Sequence, residues 1–263
     1  MIRALYTAAT GMNAQQTQVD NTSNNLANVN TNAFKKSQVE FQDLIYVTQR
    51  PPGAEAAQGL QVPTGFQIGS GSRVVGTTKL FSQGVLQNTG GDLDVAIQGA
   101  GFFQITLPDG SIRYTRDGSF RKNQNGQLVN SDGFLLQPQI TIPPDAVSTT
   151  IGTDGTVSVI SSGAPNTARP IGQLQLIRFL NPAGLSSEGN NLYAESASSG
   201  APVPTTPGQS GAGTVQQGFL EGSNVDVVHE LINLILAQRA YEFNTRAVRT
   251  ADEMLSDTNN LTR

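Results

Sequence analysis

Residues 21–36 read NTSNNLANVNTNAFKK, with asparagine at six of the twelve positions from Asn21 to Asn32. Asparagine is a mediocre helix former, because its short amide competes for backbone hydrogen bonds. Yet the run closes a regular helical pattern that starts near the amino terminus. Every seventh residue from Leu5 is apolar (Leu5, Met12, Val19, Leu26), and three residues after each come Ala8, Gln15, Thr22 and Val29. Ile2 and Ala9 flank this stripe at its start. The 3-4 spacing predicts a helix burying one face, and about 28 residues would span roughly 40 Å.

The other end of the chain carries a matching pattern. Val227, Leu234, Tyr241, Val248 and Leu255 recur every seven residues, with Ala240, Ala247, Met254 and Leu261 as a second column on another face. Ser223 or Asn224 is placed to cap this helix, and Glu230 falls in its opening turns. Neither helix hides its stripe alone. The simplest expectation is that the two ends pair as a coiled coil from which the rest of the chain emerges as an insertion. The leftover apolar column and the small residues Ala4, Ala8, Ala9 and Gly11 then face the rest of the protein or another subunit.

From about Gly71 to Thr214 the period changes to two. Runs such as GFFQITL, IRYT, TVSVI and GQLQLIRF are short and β-prone, and Pro108-Asp109-Gly110, Asn125-Gly126, Asp132-Gly133 and Asp154-Gly155 punctuate them as turns. The expected fold class is α+β, with terminal helices paired as a coiled coil and an inserted all-β domain of short antiparallel strands. The expected division is 1–35 for the first helix, 36–71 for an extended connector, 72–214 for the β domain and 215–263 for the return segment and last helix. The connector holds Pro51, Pro52 and Pro63, while Leu60, Val62, Phe66 and Ile68 sit at even spacings that suit a strand or a contact with a neighbour.

The 263 residues carry a net charge of −4, no cysteine, no tryptophan and one histidine. That balance gives no reason to expect nucleic acid as a partner. No apolar run reaches the roughly 18 residues a membrane-spanning helix needs, and the first residues lack the continuous apolar core of a secretory signal. Taken alone, this favours the cytoplasm. Chemistry is equally sparse. His229 has no second histidine or cysteine with which to hold a metal. The segments GSG at 69–71 and GAG at 99–101 open no helix and read as turns. Asp92 and Asp94 fit alternating strand positions, and Arg113, Arg116, Arg121 and Lys122, balanced by Asp109 and Asp117, suit a solvated hairpin surface. No catalytic residue, metal or cofactor is expected.

Four stretches carry a resemblance. NNLANVNTNAFKK at 24–36, LDVAIQGAGFFQI at 93–105, YTRDGSFRKNQNGQLVNSDGFLLQP at 114–138 and GFLEGSNVDVVHELINLILAQRAYEFNTRAV at 218–248 resemble, in order, the signatures of the bacterial flagellar rod and hook proteins. The connector is similar in length and Pro-Gly pattern to that of distal-rod members of the family rather than hook members. The resemblance implies a structural subunit that builds a rigid hollow shaft by helical repetition, transmits torque to the hook and conducts exported subunits. It implies export without a cleaved signal and a place in the periplasm, reaching the outer membrane, which replaces the cytoplasmic expectation. The implied partners are further copies of the chain, proximal rod proteins, the hook protein, the surrounding P- and L-ring proteins, and the rod cap and export apparatus. The subunit-packing residues are then Leu5, Ala8, Met12, Val19, Leu26 and Val29 with Val227, Leu234, Tyr241, Val248 and Leu255. Asn21, Asn24, Asn25 and Asn28 are expected on polar faces. Asn30 and Asn32 are expected in left-handed or capping geometry where the chain leaves the helix. Another rod or hook protein is the alternative within the family, and a cell-wall glycan-binding or glycan-cleaving module is the alternative outside it.

Overall fold

The computed structural model describes residues 2–53, 55–57, 60, 61, 63–163 and 167–261. Two long helices, α1 (Ile2–Ala27) and α2 (Val227–Leu261), bracket a series of short strands. The chain divides into two units. A helical unit comprises Met1–Ala27, Ser37–Thr78 and Asp226–Arg263, and a β unit comprises Asn28–Lys36 and Lys79–Val225.

In the helical unit α1 and α2 run antiparallel. Thr245 Oγ1 lies 3.5 Å from Met12 Sδ, and Asn25 Nδ2 lies 3.4 Å from a carboxylate oxygen of Glu230. The inward residues of α2 are Glu230, Ala237 and Ala251, all buried, with Leu234, Asn244, Val248 and Leu255 half-buried. Those positions keep a heptad spacing. On α1 the buried positions are Ala8, Ala14, Thr22 and Asn25, while Leu5, Met12, Val19 and Leu26 are half-buried. The closest approach therefore uses small and polar residues. A Cβ on Gly11 would sit 2.8 Å from Asn244 Nδ2, so the Asn244 amide packs directly over the glycine. Asp226 caps α2, its carboxylate accepting the N–H groups of Val228 (2.9 Å) and His229 (3.3 Å). The cap expected at Ser223 or Asn224 thus falls on the acidic residue directly before the helix, where charge also suits the helix dipole.

Between residues 37 and 79, three antiparallel strand pairs nest one within the next as a ribbon. Ser37–Asp43 pairs with Ser72–Lys79, Val47–Arg50 with Phe66–Ile68, and Glu55–Ala57 with Leu60–Gln61. The first pair lies against α1. Asn25 gives its Nδ2–H to the Ser37 carbonyl at 2.9 Å and accepts the Ser37 N–H at 3.0 Å, and Asn21 donates to the same carbonyl at 2.7 Å. Asn25 is only 1% exposed, so it lies in the packed interior rather than on the polar face expected for it. An amide there satisfies a strand end with both its donor and its acceptor, without burying a charge. Gly71, at φ +108°, passes so close to Thr10 that no side chain fits.

The β unit holds a seven-stranded antiparallel sheet built from Arg121–Lys122, Leu128–Val129, Leu135–Gln137, Phe103–Thr106, Ile112–Thr115, Leu192–Ala194 and Ser186–Gly189, in that spatial order. A three-stranded meander, Ala146–Ile151, Thr156–Ser161 and Ala168–Gln173, adds a second layer. Val95, Ile97, Phe103, Ile105, Leu136, Val157, Val159 and Leu176 fill the main core. Phe102, Tyr114, Phe179 and Tyr193 form a smaller aromatic core with edge-to-face contacts. Val95–Gln98 pairs with Thr214–Gln217, and Leu86–Asn88 with Phe219–Glu221.

Beside the aromatic core, Lys35 Nζ meets Glu221 Oε1 at 2.5 Å and Arg116 Nε meets Glu221 Oε2 at 2.9 Å, with side chains 0%, 3% and 0% exposed for Lys35, Arg116 and Glu221. Arg116 also donates to the carbonyls of Gly101 (3.1 Å) and Gly99 (2.8 Å), and Lys35 to that of Ser82 (2.7 Å). Burial, and next the nearby Arg116 charge, push the Lys35 ammonium below its ordinary pKa, against the pull of Glu221. Arg116 thus leaves the solvated hairpin surface expected for it: a cation is held inside by a carboxylate and carbonyls. Ala33, 2% exposed, takes the left-handed conformation at φ 57° and gives its N–H to the Glu221 carbonyl at 2.7 Å. Neither Asn30 nor Asn32 is left-handed; the chain must present both the Ala33 N–H and the Lys35 ammonium to Glu221, and that requirement sets the position of the bend. Since α1 ends at Ala27, Val29 lies in the turns beyond the helix rather than on its stripe. Asp92 falls in a turn and Asp94 makes an isolated β-bridge to Ser119 directly before Val95, where Thr89 Oγ1 donates to Asp94 at 2.5 Å, so the two do not share a strand.

Two measurements check this account. Glu221→Ala leaves two buried cations without a counterion and should destabilise the β unit by about 3–5 kcal/mol in urea unfolding, whereas Lys35→Met, which leaves Glu221 paired with Arg116, should cost less. Burial pushes the Tyr193 phenol up to about 12 from 10.0. Below pH 10 folded and unfolded chains both keep this proton; between about pH 10 and 12 only the unfolded chain loses it, so stability falls as pH rises. Lys35, with its lowered pKa, acts in the opposite sense below 10.5, so the decline is clearest above that value. Tyr193→Phe should flatten it in urea titrations followed by circular dichroism.

Candidate assembly surfaces

Among the described residues no group of three or more histidine, cysteine, aspartate or glutamate side chains is placed to hold a metal. His229 stands 76% exposed at the start of α2, 3.9 Å from Asp226. The distinctive surfaces are apolar instead. α2 leaves Val228, Leu231, Ile232, Ile235, Leu236 and Phe243 exposed, with Ile235 at 55%, Leu236 at 62% and Phe243 at 64%. An open groove of about 440 Å³ runs along the helix pair, lined by Gln16, Val19, Gln238, Tyr241 and Glu242. Four of these six residues lie in the segment LINLILA, residues 231–237. That segment is apolar around nearly the whole helix circumference, a composition suited to burial on every side.

The residues singled out from the sequence fall on several faces. Leu234, Val248 and Leu255 lie half-buried toward α1, whereas Val227 and Tyr241 are exposed. The second column splits, with Ala240 half-buried and Ala247 and Met254 exposed. Asn24 and Asn30 are exposed, Asn28 and Asn32 half-buried, and the Asn32 carbonyl accepts from Asn191 at 3.0 Å. The outward column through Val228, Ile232, Ile235 and Leu236 is not marked by the heptad through Leu234, which accounts for only one side of the run VHELINLILA.

The ribbon exposes a further set: Phe41, Ile45, Tyr46, Val47, Phe66 and Val75. Pro51, Pro52 and Pro63 are exposed too, and Ile68 is half-buried against the ribbon's base. Leu60 lies in a strand, and its side chain, like the whole of Val62, lies outside the described residues. In the β unit, Asn224 accepts the Lys36 N–H at 2.8 Å and donates to the Leu80 carbonyl at 2.7 Å. Sequence reasoning gave Asn224 a capping role; its amide instead bridges the backbone of Lys36 and Leu80. The helix pair and the ribbon each carry exposed apolar side chains suited to packing.

Comparison with known proteins agrees with this. Three family models match in chain order: "Flagella basal body rod protein" over residues 5–35, "Flagellar hook protein FlgE/F/G D1 domain" over 96–159 and "Flagellar basal body rod FlgEFG protein C-terminal" over 216–261. The flagellar basal-body rod protein FlgG of Buchnera aphidicola subsp. Schizaphis graminum is 50% identical over 97% of this chain and 98% of its own length. FlgG of Borreliella burgdorferi is 47% identical over the full length of both chains. The rod protein FlgF of Caulobacter vibrioides is 36% identical over 92% of this chain and 90% of its own. With helical ends, an inserted β unit and full-length likeness to FlgG proteins, the chain belongs to the flagellar basal-body rod protein family, a structural rod subunit that assembles with other rod and hook components and is not an enzyme.

Proposed function

We propose that the subunit builds the distal rod: a rigid hollow shaft, assembled by helical repetition of copies of this chain, that transmits torque to the hook and conducts exported subunits. The observation that carries this reading is the exposed apolar face of α2 from Val228 to Phe243. A lone subunit leaves that face in water, and packing against neighbouring copies removes it. Heterologous contacts of this kind repeat indefinitely along a helix. The half-buried stripes, Leu5, Met12, Val19 and Leu26 on α1 with Leu234, Val248 and Leu255 on α2, complete their burial in the same layer, where the helix pair acts as a coiled coil. Residues 1–35 and 215–263 then make the inner wall and 72–214 the outer one, with 36–71 between subunits. Export without a cleaved signal, a periplasmic position, and contact with proximal rod proteins, hook protein, P- and L-ring proteins, rod cap and export apparatus belong to this proposal.

The ribbon gives the shaft its stiffness in this reading. Its exposed Ile45, Tyr46 and Phe66 anchor on adjacent subunits, and Pro51, Pro52 and Pro63 reduce the entropy lost when it docks. Bending a tube requires neighbouring subunits to slide, and a strap across the join opposes sliding.

Two experiments test these points. Ile235→Asp changes a residue exposed in the monomer, so it should leave circular dichroism unchanged yet abolish tubes in electron microscopy and sedimentation; normal tubes would remove α2's outer face from the assembly contact. The pair Tyr46→Ser and Phe66→Ser should still give tubes, but with a shorter persistence length in micrographs, and equal stiffness would make the ribbon a passive connector.

A further inference from the structure

Glu221 is the junction of the β unit. Its carboxylate accepts from Lys35 at 2.5 Å, from Arg116 at 2.9 Å and from the Gly84 N–H at 2.9 Å, and its carbonyl accepts the Ala33 N–H at 2.7 Å. The stretch that carries it also supplies two strands. Thr214–Gln217 completes the pair with Val95–Gln98, and Phe219–Glu221 the pair with Leu86–Asn88. These pairings join residues more than a hundred positions apart, whereas Ala146–Ile151, Thr156–Ser161 and Ala168–Gln173 pair with their neighbours in sequence. Closing a long loop costs entropy before its contacts form, so the local meander has the advantage of time.

Charge adds a second barrier. Until Glu221 arrives, bringing Lys35 and Arg116 to their final places buries two cations side by side with no counterion. Their mutual repulsion holds the site apart. We propose that Lys35, Arg116 and Glu221 form an electrostatic latch that makes closure of the β unit the last event of its folding, dependent on the stretch 214–221. A chain delivered progressively would stay open, and so able to be threaded, until that late stretch joins it. The use of such a delay rests on the rod-subunit reading, but the order of folding does not, so the two can fail separately.

The test is pulse-labelling hydrogen exchange of the full chain refolding from urea, read by peptide mass spectrometry. Peptides from 146–161 should gain protection first, and those from 95–98 and 214–221 should gain it later and together. Glu221→Gln, which keeps the shape but removes the countercharge, should slow the late phase by about tenfold. Lys35→Met combined with Glu221→Gln removes the repulsion and should restore most of that rate. If the single variant does not close at all, recovery of closure in the double variant decides the matter. Protection of 95–98 together with 146–161, or a double variant as slow as the single one, would overturn the latch.

Discussion

One carboxylate between two buried cations governs how the β unit holds together. Glu221 is fully buried, and so are the ammonium of Lys35 and almost all of Arg116. Burying three charges is costly, and the arrangement persists because each charge is met by further partners: carbonyls for Arg116 and Lys35, an N–H for the carboxylate. The three residues come from three separated signature stretches, NAFKK, YTRDG and GFLEG. Their joint presence thus has a physical reason: any one without the others leaves a buried charge unmatched.

Amides do the corresponding work where charges would be too costly. The chain passes from the β unit to the helical unit between Lys36 and Ser37. Within the helical unit Asn25 holds Ser37 by both its N–H and its carbonyl, and within the β unit Asn224 holds the Lys36 N–H. The asparagine-rich run at the end of α1 is therefore explained unevenly. Asn21 and Asn25 fasten the first strand, Asn32 contributes only its carbonyl to Asn191, and Asn30 faces outward.

Much of the architecture was legible because it depends on period. The heptads of Leu234 and Leu255, the period-two runs and the Asn-Gly and Asp-Gly turns each report local geometry directly. What escaped depends on contacts between distant residues. Nothing local marks Arg116 as buried, since its neighbours Arg113, Asp117 and Arg121 are ordinary surface residues of a hairpin. Ala33 in a left-handed bend is equally silent, because alanine favours helix by itself. The pairing of Leu86–Asn88 with Phe219–Glu221 could not be read from either strand alone. The exposed column of α2 was overlooked for a different reason: once one apolar heptad was assigned inward, the remaining apolar residues of LINLILA had no partner within the same chain.

The nested ribbon has a consequence for how such subunits vary. Its base is fastened to α1 through Ser37, and each further rung, Val47 with Ile68 and Thr48 with Gln67, sits on the one before it. Successive side chains of a strand point to opposite faces. A matched gain of two residues on each arm therefore extends the ribbon by one full repeat and leaves every existing side chain on its own face. A gain of one residue on each arm turns everything beyond it over, exchanging the outer surface for the inner. Lineages that lengthen or shorten this finger are thus expected to do so by even steps, while the helices and the β unit keep their length.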